Sequence, residues 1–241
     1  MSIALIDGDM VAYRAAFLAE TEVKWNDQYW TLHSDPSKMQ VEAVRHVEEL
    51  MDHSNCDSVE LSFSSKTNFR RELNPLYKSN RKDKRKPLGL GELRDWMTKE
   101  WKTHTIKDLE ADDVIGILAS APNNNYIAVS GDKDFKTIPC KFYDYTRSQF
   151  HDITPEEANF THLCQTLAGD PTDGYAGLKG FGMITAKKYL DKHGATWKSV
   201  VTAYEDKGSN KTEALLNARM AYILRHGDYD HTKQKIKLWN N

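Results

Sequence analysis

Carboxylates recur along this chain wherever a strand-like stretch gives way to a helix-like one. They are Asp7 and Asp9, then Glu110, Asp112 and Asp113, then Asp132 and Asp134, then Asp170 and Asp173. Asp132 and Asp134 are two apart, so in an extended segment they face the same way. Glu110 and Asp113 are three apart and share one face of a helix. Acids gathered at one sheet edge repel one another, and divalent cations relieve that repulsion. An all-oxygen donor set favours Mg²⁺ or Mn²⁺. Two such ions about 4 Å apart activate water and stabilise the leaving oxygen of a phosphodiester. One acid of this kind usually only caps a helix or complements its dipole. It is the recurrence in four clusters that points to a metal centre.

A second set of residues has the chemistry to hold the other reactant. Between Lys66 and Lys86 there are nine Lys or Arg against two acids. Arg70, Arg71, Lys78, Arg81 and Lys82 are interleaved with Phe69 and Tyr77. Cations neutralise phosphates, and an aromatic ring stacks on an unpaired base. Lys78 and Arg81 would face one way on a helix. A lone charge run is more often a solvated loop, but this one follows a strand whose end should lie near the acids. Gly169 to Lys188 is the most specific segment. Gly177, Gly180 and Gly182 permit a tight turn with exposed amides, and a helix begins just after. Its free N–H groups suit a phosphate, and Lys179, Lys187 and Lys188 add charge. This is the logic of a helix–hairpin–helix, which grips a DNA backbone without reading sequence.

The elements that must position these groups follow from periodicity and caps. Strands are expected at Ile3–Ile6, Val59–Phe63 and Tyr126–Val129, with Asp7 and Asp132 just past the first and last. Val23–Trp25 and Tyr29–Leu32 flank the turn pair Asn26-Asp27 as a hairpin. Helices are expected at Val11–Leu18, Ser37–Met51, Leu90–Trp101 and Glu110–Ala119. Thr154-Pro155-Glu156-Glu157 is in helix-starting order, and that helix runs to about Ala168. Helical stretches follow at 184–192, 197–205 and 211–225, and Lys235–Trp239 reads as a final strand. Strands alternating with helices imply a mainly parallel α/β sheet to about residue 150, where ligands bind beyond the strand C-termini.

Bulk properties narrow the class. The 241 residues carry a net charge of −2, so nucleic-acid binding needs local separation of charge. Cys56, Cys140 and Cys164 form no metal pattern and suit a reducing cytoplasm. No apolar run is long enough for a membrane helix, and the N-terminus has no signal-peptide pattern.

Taken in order, Leu5-Ile6-Asp7-Gly8-Asp9, Asn68 to Lys82, Leu109-Glu110-Ala111-Asp112-Asp113-Val114, Ser130 to Pro139 and Gly169 to Gly182 resemble the flap endonuclease/5′ exonuclease superfamily, in its short phage branch. Ala218 to Arg225 and Lys235 to Trp239 look like that branch too. The resemblance implies a PIN-like fold over 1–155, with a basic arch at about 66–90, and a helix–three-turn–helix module within 156–241. It implies a two-Mg²⁺ site in which Mn²⁺ substitutes. Asp7, Glu110, Asp112 and Asp132 would serve one ion, with Asp113 beside them in a catalytic role. Asp134, Asp170 and Asp173 would serve the other. Lys78 and Arg81 match the basic gateway that draws the scissile phosphate onto the ions, and Tyr77 would stack near the cleaved end. The implied partners are duplex DNA with 5′ ends, nicks or flaps, and RNA–DNA hybrids, handled by a monomer without organic cofactor. Where the family carries an aspartate after the second strand, this chain has Phe63-Ser64-Ser65-Lys66, so a serine stands in that place.

Three other readings compete. Asp7-Gly8-Asp9-Met10-Val11 fits the start of haloacid-dehalogenase-type phosphatases, but leaves the basic stretch and the hairpin without a role. A catalytically dead branched-DNA-binding protein has only the missing aspartate in its favour. A PIN-type ribonuclease would usually lack the hairpin module.

Overall fold

A computed structural model describes residues 1–81 and 83–241. Lys82, expected to contact DNA, lies outside the described residues.

The chain opens with β1 (Ile3–Asp7), α1 (Gly8–Leu18), a hairpin of β2 (Glu20–Lys24) and β3 (Trp30–Ser34), and α2 (Pro36–His53). β4 (Ser58–Ser62), the short α3 (Arg70–Leu73), α4 (Leu90–Glu100), β5 (Thr103–His104) and α5 (Ala111–Ala119) follow. Then come β6 (Tyr126–Ser130), β7 (Lys141–Asp144), β8 (Gln149–Asp152) and α6 (Pro155–Ala168). A short ribbon of β9 (Gly169–Asp170) and β10 (Tyr175–Ala176) leads to α7 (Met183–His193), α8 (Trp197–Asp206) and α9 (Lys211–Ala221), and the ribbon β11 (Tyr229–Asp230) with β12 (Lys235–Ile236) follows.

The main sheet has the order β5-β4-β1-β6-β7-β8, parallel except for β8. β1 is central because Ala4, Leu5 and Ile6 are apolar on both faces, as a covered parallel strand requires. Ala4 and Ile6 pack with α1, α2 and α4 through Val11, Ala15, Leu50 and Met97. Leu5 points the other way, toward Ile115 of α5, Phe135 and Phe142. A further core joins α6, α7, α8 and α9 through Leu167, Leu190, Val200, Tyr204 and Ala218. Register puts Asp7 opposite Ser62, and Ile6 opposite Val129. The residues just past β1, β4 and β6 therefore emerge along one edge.

The mainly parallel α/β sheet matches the expectation, and the differences are local. The expected helix 211–225 stops at Ala221, and Tyr222 is extended. The chain there lies against α5: the Leu224 N–H donates to Asp113 at 3.1 Å, and a Cβ on Gly116 would stand 2.3 Å from the Leu224 carbonyl oxygen. Only glycine permits that approach. Of Lys235–Trp239, just Lys235 and Ile236 are strand, and they pair with Tyr229–Asp230 rather than joining the main sheet. β5, β7 and β8 are two to four residues long, too short for alternation to show in sequence.

Candidate active site

Asp7, the last residue of β1, caps α1 by accepting the N–H groups of Asp9 (2.9 Å) and Met10 (3.3 Å). Asp132 follows β6 and caps a 3-10 turn, accepting from the Asp134 N–H at 2.9 Å. The two therefore share an edge through a cap rather than through extended backbone. Glu110 and Asp112 stand at the start of α5. Asp170 ends β9, and Asp173 stands in the loop that leads from it to β10. All seven residues expected to hold metal line one cleft of about 410 Å³, together with Lys78, Arg81, Lys133, Asp9 and Ser64. A cavity of about 750 Å³ beside β8 contains none of these acids.

The acids fall into two electrostatic groups. Burial, then repulsion from Asp9 and Asp132, pushes the Asp7 carboxyl up to about 7. Burial, then Asp7 and Asp132, raises Asp112 well above the usual carboxylate range. These charges meet no cation at ion-pair distance among the described residues. The other group is already countered. Burial alone would raise Glu110, but Lys78 and Arg70 outweigh it and hold it at about 2. Lys78 Nζ lies 2.7 Å from Glu110 and 3.7 Å from Asp173, and Arg81 lies 2.7 Å from Asp173. Lys133 Nζ lies 3.7 Å from Asp134 and 3.4 Å from Asp170. Asp134 is still raised to about 6, by burial and then by Asp132. No three carboxylates among the described residues yet stand close enough to share one ion. The donor set nonetheless fits a hard divalent cation: it is all oxygen, and at Asp7 and Asp112 its charge is uncompensated.

Three expectations need correction. Asp113 has no exposed atom and does not line the cleft; Arg70 grips both its oxygens at 2.7 Å. Its carboxylate also accepts the Glu110 and Leu224 N–H groups. Asp113 is thus a structural counter-ion rather than a catalytic acid. Arg70 is buried, and also donates to the Met220 and Tyr222 carbonyls, so it has no donor left for DNA. Tyr77 is 3 % exposed and its hydroxyl donates to Glu110 at 2.7 Å. It positions that carboxylate and offers no face for stacking.

The remaining predicted DNA contacts are distributed differently. Arg71, Lys179, Lys187 and Lys188 are exposed. Gly180 has φ +86, which the turn requires, and Gly182 caps α7. Gly177 instead allows backbone contact, since a Cβ there would meet Ala168 and Gly169 at about 2.1 to 2.2 Å.

The structure adds residues that had been given no role. Arg94 of α4 pairs with Asp9 (3.0 Å) and donates to the Ser64 carbonyl (2.9 Å). The Ser64 N–H donates to Asp9, and its Oγ accepts the Ala111 N–H at 3.0 Å. Gln165 of α6 donates to Asp134 at 2.6 Å. Arg94 and Gln165 lie on helical faces with no local motif, whereas Lys133, between Asp132 and Asp134, was in plain view.

The profile of the family described as 5′–3′ exonuclease, N-terminal resolvase-like domain, matches residues 2–158. The chain is 29% identical to the exonuclease of Escherichia phage T7, covering 98% of this chain and 93% of that relative. It is 30% identical to the exodeoxyribonuclease of Enterobacteria phage T3, covering 98% and 92%. A flap endonuclease Xni of Shewanella baltica is 30% identical over 65% of this chain and 66% of its own length. Among solved structures, the bacteriophage T5 flap endonuclease in a complex with DNA and metal ions superposes with a TM-score of 0.63 at 16% identity, covering 92% of this chain and 89% of that one. That likeness shows a shared PIN-like fold.

Proposed function

The chain belongs to the 5′–3′ exonuclease family, and we propose that it is a divalent-metal-dependent 5′→3′ DNA exonuclease that also cuts at 5′ flaps. The observation that carries this reading is the single cleft lined by all seven acids with Lys78 and Arg81, in which Asp7 and Asp112 have no cation at ion-pair distance among the described residues. Mg²⁺ is the proposed ion, with Mn²⁺ able to replace it. Asp7, Glu110, Asp112 and Asp132 would hold one ion, and Asp134, Asp170 and Asp173 the other. The chemistry such ions supply is activation of water and neutralisation of charge on the leaving oxygen.

The chain's own groups do the rest. Lys78 and Arg81 draw the scissile phosphate into the cleft and oppose charge developing on it. Tyr77 keeps the Glu110 carboxylate oriented. The amides around Gly180 and Gly182, with Lys179, Lys187 and Lys188, hold the duplex backbone. Arg71 and the rest of the basic stretch guide the unpaired 5′ strand. In this division residues 1–155 carry most of the chemistry, and 156–241 add Asp170, Asp173 and the duplex grip. The enzyme works as a monomer in the cytoplasm of a phage-infected cell, in replication, primer removal or breakdown of host DNA, with RNA–DNA hybrids as a further substrate.

The test is digestion of linear duplex and 5′-flap DNA, labelled separately at 5′ and 3′ ends, with Mg²⁺, Mn²⁺ or EDTA. Early release of 5′-phosphorylated label, only with metal, is expected. No cleavage with either ion, or release from the 3′ end first, would refute the proposal.

A further inference from the structure

Lys133 stands between Asp134 and Asp170, at 3.7 and 3.4 Å. Both distances are longer than a close charge-assisted hydrogen bond, and both exceed the 2.7 Å of Lys78 on Glu110. Its side chain is 60% exposed, against 21% and 17% for the two acids. The ammonium is thus a loose plug with room to swing outward.

The two acids do not depend on it for their orientation. Asp134 is fixed by Gln165, whose Nε2 donates at 2.6 Å from the wall of α6, while the buried Oε1 of Gln165 has no partner among the described residues. Asp170 accepts the Thr172 N–H at 2.8 Å. Removing the lysine would leave a preset carboxylate pair. Asp7 and Asp112, by contrast, have no such plug.

We infer that Lys133 is a removable internal counter-ion, holding the gap between Asp134 and Asp170 while DNA is absent and yielding it to a divalent ion once a DNA phosphate draws the ammonium away. The inference rests on the nuclease reading above and makes occupancy of the second acid group conditional on substrate. A phosphate offers Lys133 a competing anion at the cleft mouth, and the acids it leaves repel each other until a cation enters.

The experiment is Mn²⁺ binding to the whole chain, by electron paramagnetic resonance and calorimetry, for the wild type, K133Q and K133R. Without DNA, the wild type should take one ion tightly and a second weakly. K133Q should bind the second at least about tenfold tighter, a difference of about 1.4 kcal/mol, with the first unchanged. K133R should behave as wild type. A short 5′-phosphorylated product duplex should tighten the second ion in the wild type and have little effect in K133Q. Equal affinity for the second ion in K133Q and wild type would overturn the role of Lys133. So would tight binding of both ions by DNA-free wild type, and either result leaves the nuclease reading standing. Failure of every chain to bind Mn²⁺ would remove the metal centre itself, and this assignment with it.

Discussion

Arg70 and Asp113 form a bidentate ion pair, with both N–O distances 2.7 Å and Asp113 fully buried. It ties α3, at the root of the basic stretch, to the start of α5, where Glu110 and Asp112 stand. The remaining Arg70 donors reach the Met220 and Tyr222 carbonyls and, at 3.4 Å, the Glu110 carboxylate, so the pair also fastens the end of α9.

Breaking this pair should destabilise the protein rather than only silence it. Removing one partner leaves the other charge buried, which typically costs about 3 to 5 kcal/mol. D113A and R70M should each lower stability on that scale in a urea titration. Mg²⁺ should still protect whatever fraction remains folded. A D113A chain with wild-type stability and no turnover would restore Asp113 to the catalytic set.

Lys78 calls for a different signature. It lies at the cleft surface, with its Nζ on Glu110, and Lys78→Ala removes a cation from beside the proposed phosphate position. Loss of one such electrostatic contact typically costs about 10² to 10³ in the chemical step. Single-turnover cleavage should fall by that factor, while equilibrium binding of flap DNA changes by less than about tenfold. A loss confined to binding would make Lys78 an ordinary phosphate contact.

Metal and pH should be linked through Asp7. Its folded-state value, about 7, lies above the ordinary 3.8, so the folded state binds the proton more tightly than the unfolded state does. Stability from this group is therefore present at low pH and is lost as pH rises through 7. A divalent ion binds the deprotonated cluster and reverses the penalty. The gain in Tm on replacing EDTA by saturating Mg²⁺ should be larger at pH 8 than at pH 6, and D7N should shrink the difference. An equal gain at both pH values would show that Asp7 does not face the ion.

Most of the site was legible because its acids sit at strand-to-helix junctions, and parallel topology sends those junctions to one edge. Asp7, Asp132 and the pair Glu110–Asp112 needed only local pattern to be placed there. What spacing could not distinguish was the direction of each side chain. Asp112 and Asp113 are adjacent on α5, yet one opens to the cleft and the other into the core. That choice is made by Arg70, some forty residues earlier in sequence. Tyr77 was similarly ambiguous: an aromatic in a basic run suits stacking as well as burial, and only its hydrogen bond to Glu110 decides. In the fold, the end of α9 at Ala221 depended on docking against Gly116, a long-range contact that helical periodicity does not register.

His162 supplies a pH effect of opposite sign, away from the cleft. It is buried in α6, its Nε2 donates to the Ala218 carbonyl at 2.8 Å, and its ring meets Tyr222 and Trp239 edge-on. Burial, only partly offset by that carbonyl, lowers its pKa from 6.5 to about 4. The unfolded chain therefore binds a proton between pH 6.5 and 4 that the folded chain refuses, and stability falls as pH drops through that window. The shift corresponds to roughly 3 kcal/mol. H162Q removes the titrating group while keeping an amide donor for the Ala218 carbonyl. It should be less stable than wild type at pH 7.5, through lost ring packing, but should lose clearly less stability between pH 7 and 4.5. Urea titrations of both chains across that range, in EDTA, measure the two slopes. Parallel slopes would mean that His162 keeps its ordinary affinity for the proton in the folded state, and that the acid sensitivity of the protein arises from other groups.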